Sequence, residues 1–132
     1  MPNRRPLNLD EFNISKNEYY KILYHCRDYD KKKLELKECY SLSASGNGAR
    51  GGTMSDPTLY AAMRASKLSE YIETIESAAK EADPAISQWI LLNVTNEHMT
   101  YEKMNAREHI PCGKEYFYKA RRRFFWIMSQ RV

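Results

Sequence analysis

Apolar residues recur along most of this chain at three- and four-residue steps, the spacing that puts side chains on one face of an α-helix. Ser15 is followed three residues later by Glu18, a pattern typical of a helix start because the two side chains satisfy free backbone N–H groups. The sequence therefore predicts a helix from Ser15 to about Leu42, with its apolar face formed by Tyr19, Ile22, Leu23, Cys26, Tyr29, Leu36 and Tyr40.

A second long helix is predicted from Asp56-Pro57 to about Ala82, because Asp favours the N-cap and Pro the first helical turn. Residues 43–56 between the two helices carry four of the five glycines and no apolar period, which predicts a mobile connection. This loop lacks the Gly-Lys-Ser/Thr ending of a phosphate-binding loop. Two helices of matched length favour a long antiparallel hairpin, or a bundle with a partner's hairpin. A lone hairpin of this length would have a thin core, so we expect the protein to form a homo-oligomer.

Three shorter helices are predicted after residue 82. The first opens at Asp83-Pro84 and covers Ala85 to about Val94, and turns follow it at 95–99 and 109–113. The next two helices cover Tyr101–Arg107, with Thr100 as cap, and Lys114 to about Gln130. A short helix, a brief turn and a longer basic helix follow the order of a helix-turn-helix. The predicted fold is thus all-α, with a flexible lead-in over 1–14, a helical hairpin over 15–82 and a three-helix helix-turn-helix unit over 83–132.

The last helix separates into two faces at 100° per residue. With Phe117 at the centre of the buried face, its neighbours there are Ala120, Phe124, Ile127 and Met128. The opposite face carries Glu115, Tyr118, Lys119, Arg122 and Ser129. Trp126 also falls on this second face, so we expect the end of the helix to pack against the hairpin or a second subunit, with base stacking as the alternative.

Positive charge is concentrated in this same region. The chain carries 21 basic and 17 acidic residues, and residues 100–132 hold eight of the basic and three of the acidic ones. The other 99 residues therefore hold 13 basic and 14 acidic residues and are close to neutral. A basic element on a nearly neutral body is typical of contact with a polyanion.

The residue types of the last helix allow specific contacts with double-stranded DNA. An Arg can bind guanine with two hydrogen bonds, a Glu can accept from cytosine, and a Lys can bind phosphate. We expect a base contact from Arg122 and a phosphate contact from Arg121 or Arg123, since three adjacent arginines spread too widely around a helix to reach bases together. The predicted DNA-binding residues are Lys114, Glu115, Tyr118, Lys119, Arg121, Arg122 and Arg123. The alternative is that the arginine run is a solvated face.

Other kinds of site find little support in the sequence. The three cysteines are widely spaced and lack a metal-binding pattern, and the three histidines lie on different predicted elements. No catalytic spacing appears, so we expect neither an enzyme nor a bound cofactor or metal. No apolar run is long enough for a membrane span and the first residues do not form a secretory signal, which predicts a cytoplasmic protein without membrane contact.

Two segments resemble a known family. Ser55-Asp-Pro-Thr58 opens a long helix, and Ile110-Pro-Cys-Gly-Lys-Glu-Tyr-Phe-Tyr118 is followed by Arg121-Arg-Arg-Phe-Phe-Trp126. Over about residues 55–131 the chain resembles phage and prophage late-gene transcription regulators of the RinA and ArpU type. The resemblance implies a helix-turn-helix similar to that of sigma factors, a bacterial host cell and RNA polymerase as a further partner. The polar helix at 101–107 departs from the small-residue pattern of such units.

A phage-type DNA-binding transcriptional regulator is therefore the expected function. Two other functions stay open at this stage. A small terminase or packaging subunit also combines a helix-turn-helix with helical oligomerisation. A protein-interaction module that inhibits a host nucleic-acid enzyme could use a basic helix to block the enzyme's nucleic-acid site.

Overall fold

The structure, a computed structural model, describes residues 14–46 and 56–131, and within these ranges it contains helices and turns without strands. The helices are α1 (Lys16–Arg27), α2 (Tyr29–Gly46), α3 (Asp56–Ala82), α4 (Ser87–Thr95), α5 (Tyr101–Arg107) and α6 (Lys114–Ser129). The predicted all-α class is confirmed for these ranges. Most of the predicted lead-in and residues 47–55 of the predicted glycine-rich loop lie outside them. No helix in the described ranges is both long and apolar enough to cross a membrane.

The chain divides into two compact units, and the smaller comprises residues 28–73. Here α2 and the first part of α3 contact each other through Arg64, whose Nη2 donates to Glu35 Oε1 at 3.1 Å and whose Nη1 lies 3.8 Å from Cys39 Sγ. Lys32 Nζ lies 5.9 Å from the centre of the Tyr71 ring. Among the side chains that the structure describes in this unit, the buried ones are Tyr29, Cys39, Leu68 and Ile72.

The larger unit comprises residues 1–27 and 74–132, so that α1 shares a core with the C-terminal helices. α1 contacts α4 and α6 and buries Ile22, Leu23 and Cys26. The Arg27 Nε donates to the Val94 carbonyl oxygen at 3.1 Å, which satisfies a carbonyl in the last turn of α4. Burial raises the pKa of the Cys26 thiol to about 12, since the thiolate would lose its hydration there.

The single helix predicted over 15–42 is therefore two helices, with Asp28 in the turn between them. The first of them, α1, belongs to the larger unit. α1 and α2 have the same spacing of apolar residues, and this spacing continues through Asp28. The sequence pattern therefore does not show that the helix is interrupted there. The second helix, α2, also extends to Gly46, which lies within the segment predicted to be a loop.

The other predicted helix bounds agree closely with the structure. Both the Ser15 and Thr100 caps are confirmed: Ser15 Oγ accepts from the Glu18 N–H at 3.1 Å, and Thr100 Oγ1 accepts from the Lys103 N–H at 3.2 Å. α4 starts two residues later than predicted. In the turn before it, Asp83 Oδ1 accepts from the Ala85 N–H at 3.0 Å, so this carboxylate stabilises a turn instead of the first turn of the helix.

Candidate nucleic-acid interface

One side of α6 forms much of the core of the larger unit. Phe117, Phe124 and Met128 are fully buried, and Ala120 and Ile127 are nearly so, as the helical period predicts. Phe125 is buried as well, which the sequence did not predict. Its ring lies 4.7 Å from the ring of Tyr19 on α1, so α1 covers a second side of α6. This two-sided packing fixes the rotation of α6 about its axis and decides which side chains remain outside.

The turn before α6 is held by side chains of α5. The Tyr101 hydroxyl donates to the Cys112 carbonyl oxygen at 2.7 Å, and Asn105 Oδ1 accepts from the Ile110 N–H at 2.9 Å. Ile110 is buried, and the Tyr101 and Phe117 rings lie 5.5 Å apart. The start of α6 is therefore tied to α5 by two hydrogen bonds and an aromatic contact.

Three cations project from α6 on its exposed side. Lys119, Arg122 and Arg123 are all exposed, and we call these three residues the basic ridge. A cleft beside the ridge is lined by the three of them together with Asp83 and Tyr116. The Tyr116 hydroxyl donates to Asp83 Oδ2, and this bond and the negative charge of the carboxylate raise the pKa of Tyr116. Asp83 thus links the turn before α4 to the first turns of α6 next to the ridge.

Two further predicted DNA-binding residues lie in the first turn of α6. Lys114 and Glu115 are both exposed, and the Lys114 ammonium forms an ion pair with Glu102 of α5. The hydrogen bond between them lowers the pKa of Glu102 and raises that of Lys114. The charge of Lys114 is therefore already compensated by a neighbouring carboxylate, unlike that of the ridge residues Lys119 and Arg122, which have no ion pair among the described residues.

Arg121 occupies a different position from its two arginine neighbours. It is half-buried, its Nε donates to Asn93 Oδ1 at 2.5 Å, and its Nη2 donates to the Tyr19 hydroxyl at 3.1 Å. Its guanidinium carbon lies 4.9 Å from the centre of the Phe125 ring and 5.9 Å from that of Tyr118. The guanidinium group joins α1, α4 and α6, so this arginine is held in place and does not project with the ridge.

We expect Arg121→Ala to lower the free energy of unfolding by about 2–3 kcal/mol, because it removes charge-assisted hydrogen bonds and cation–π contacts. Chemical denaturation followed by circular dichroism measures this change. The exposed neighbour provides the control, since Arg122→Ala at a surface position should change stability by no more than about 0.5 kcal/mol. Equal stability of the two variants would contradict a structural role for Arg121.

Tyr118, the last of the predicted DNA-binding residues, lines a groove next to α1. Tyr118 and Trp126 are half-buried, and Trp126 interacts with other groups of the protein. Lys16, Tyr19 and Tyr20 of α1 also line this groove beside α6. The sequence does not predict this groove, because its apolar pattern puts these residues in a separate hairpin. The sequence feature that could have indicated the groove is a basic residue and two tyrosines within one helical turn, Lys16, Tyr19 and Tyr20.

In residues 14–46 and 56–131, no group of three or more His, Cys, Asp or Glu side chains is placed so that it could hold a metal ion. The candidate site is a surface of cations and tyrosines on and beside α6. Comparison of the chain with protein-family models, with curated proteins and with solved structures finds no match.

Proposed function

We propose that the protein is a DNA-binding transcriptional regulator in which α5, the following turn and α6 act as a helix-turn-helix, with α6 as the recognition helix. The observation that carries the proposal is the basic ridge. Lys119 and Arg122 are exposed on a helix whose other sides are fixed by buried aromatic residues and by α1. A rigid helix that presents uncompensated cations meets the two needs of duplex recognition, which are charge for phosphate and fixed geometry for bases.

The resemblance to phage late-gene regulators supports the same proposal and adds a bacterial host cell and RNA polymerase as a further partner. Homo-oligomerisation belongs to the proposal as well. In the unit over 28–73, few of the described apolar side chains are buried, while large apolar ones are exposed: Leu34, Tyr40, Leu59, Tyr60 and Met63. We propose that a helical hairpin in this unit associates with a second copy, which would place two recognition helices on one DNA site.

Selection of duplex DNA from a random pool by the purified full chain tests the function. We expect an enriched sequence motif, and its symmetry will report how many subunits bind. A ridge variant in which Lys119, Arg122 and Arg123 are all replaced by Gln should lose both the enrichment and most of the affinity, because it removes three cations at the proposed contact.

The matched control removes three cations from the other unit. Lys31, Lys37 and Lys67 are exposed there, and the triple replacement by Gln lowers the net charge by the same amount. This control should retain the motif. If the wild-type protein retains no duplex at 50 mM salt, or if the two triple variants lose affinity equally, the proposal is wrong.

A further inference from the structure

A groove between α1 and α6 lies on the other side of Arg122 from the cleft that holds Asp83. Its volume is about 460 Å³, within the range of ligand-binding sites. Three cations line it, Lys16, Arg121 and Arg122, and three tyrosines, Tyr19, Tyr20 and Tyr118. None of the described residues that line it is acidic. The groove is thus a positively charged surface with phenol groups along its walls.

Arg121 gives this groove a fixed charge. Within the described part of the chain its guanidinium group has hydrogen bonds to neutral oxygens of Asn93 and Tyr19, and no carboxylate forms an ion pair with it. Because the Tyr19 hydroxyl accepts from this cation, its own O–H remains available as a donor. An anion in the groove would contact the Arg121 guanidinium group and the Tyr19 hydroxyl. Both groups are already held in position, so they would not have to reorient when the anion binds.

Arg122 connects the groove with the basic ridge, because the same side chain lines the groove and the cleft on the ridge side. A ligand that touches the ridge can therefore continue into the groove without leaving positively charged surface. Tyrosine hydroxyls and basic side chains are among the groups that bind DNA phosphates, which fix the register of a protein on the duplex without reading sequence.

We infer that the α1–α6 groove binds the phosphodiester backbone of the duplex whose bases α6 contacts, with Lys16, Tyr20 and the Arg121-held Tyr19 as the binding groups. This inference rests on the proposed function and adds a second element, α1, to the DNA surface. The continuity of charge through Arg122 favours a DNA strand over an acidic peptide, which would need no connection to the ridge.

Lys16→Gln in the full-length protein tests the inference, with binding to the selected duplex measured by fluorescence anisotropy between 50 and 200 mM salt. Loss of one phosphate contact should reduce the slope of log affinity against log salt concentration by about one and weaken binding by about eightfold at 0.1 M salt. Sequence preference should stay unchanged. Tyr20→Phe, which removes one hydroxyl, should weaken binding several-fold with little effect on the slope.

Lys21→Gln is the matched control, because Lys21 is an exposed cation of the same helix and does not line the groove. It should bind like the wild type. If Lys16→Gln also binds like the wild type while Arg122→Ala binds weakly, the groove inference is wrong and the proposed function stands. A changed sequence preference in Lys16→Gln would also overturn the inference, because it would indicate a base contact. If the wild type binds no DNA, both proposals fail.

Discussion

Phe117→Ala is expected to lower the free energy of unfolding by about 3–5 kcal/mol, the usual cost of truncating a fully buried phenylalanine. Phe117 has no exposed surface, and its ring contacts Tyr101 of α5 at 5.5 Å between ring centres and Tyr118 at 5.3 Å. The deletion leaves a cavity between α5 and α6 that the surrounding aromatic rings can fill only in part. Because the total stability of a small domain is about 5–15 kcal/mol, this one change removes a large share of it.

Urea denaturation followed by tryptophan fluorescence and circular dichroism measures the change. Tyr24→Ala is a suitable control, because Tyr24 is 64% exposed and its ring stacks loosely on that of Tyr20, with 6.1 Å between the ring centres. Its cost should be about 0.5 kcal/mol or less. A cost below 1 kcal/mol for Phe117→Ala would mean that α6 is not anchored through this side chain, and the outward direction of the ridge would lose its structural basis.

The sequence predicts α6 well because one strong period governs it. Phe117, Phe124 and Met128 are spaced so that a single rotation buries all three, and Lys119 and Arg122 must then lie outside. Neighbouring residues also predict the Thr100 cap and the bounds of α5. These features are local: each depends on residues three to seven positions apart, which a sequence pattern records directly.

Features that depend on distant residues could not be predicted in the same way. Arg121, Arg122 and Arg123 are chemically identical, and contacts with Asn93 of α4 and Tyr19 of α1 separate the held arginine from the exposed ones. The sequence places Tyr19 in a long hairpin, because the helical period continues through Asp28. Because the sequence predicts a single helix over 15–42, it does not predict that α1 covers a second side of α6 or that a groove lies between the two helices.

Replacement of Arg122 is expected to have the largest effect on DNA binding of any single exposed side chain. Arg122 belongs to the basic ridge and also lines the groove. The one other cation of α6 that lines the groove is the held Arg121. If Arg122 contacts guanine with two hydrogen bonds, Arg122→Ala should cost about 1–3 kcal/mol, or about 5- to 150-fold in affinity for the selected sequence. Binding to unrelated duplex should fall much less, since that depends on phosphate contacts.

Lys119→Ala separates base recognition from charge in this experiment. Lys119 is an exposed neighbour on the same ridge, and as a phosphate contact its loss should weaken binding to all duplexes alike and reduce the salt slope by about one. Arg122→Ala, in contrast, should lower the ratio of the affinity for the selected sequence to the affinity for unrelated DNA. Both variants must first show the wild-type unfolding midpoint, as their exposure predicts. If Arg122→Ala and Lys119→Ala change that ratio equally, Arg122 does not read a base and α6 holds DNA only through its charge.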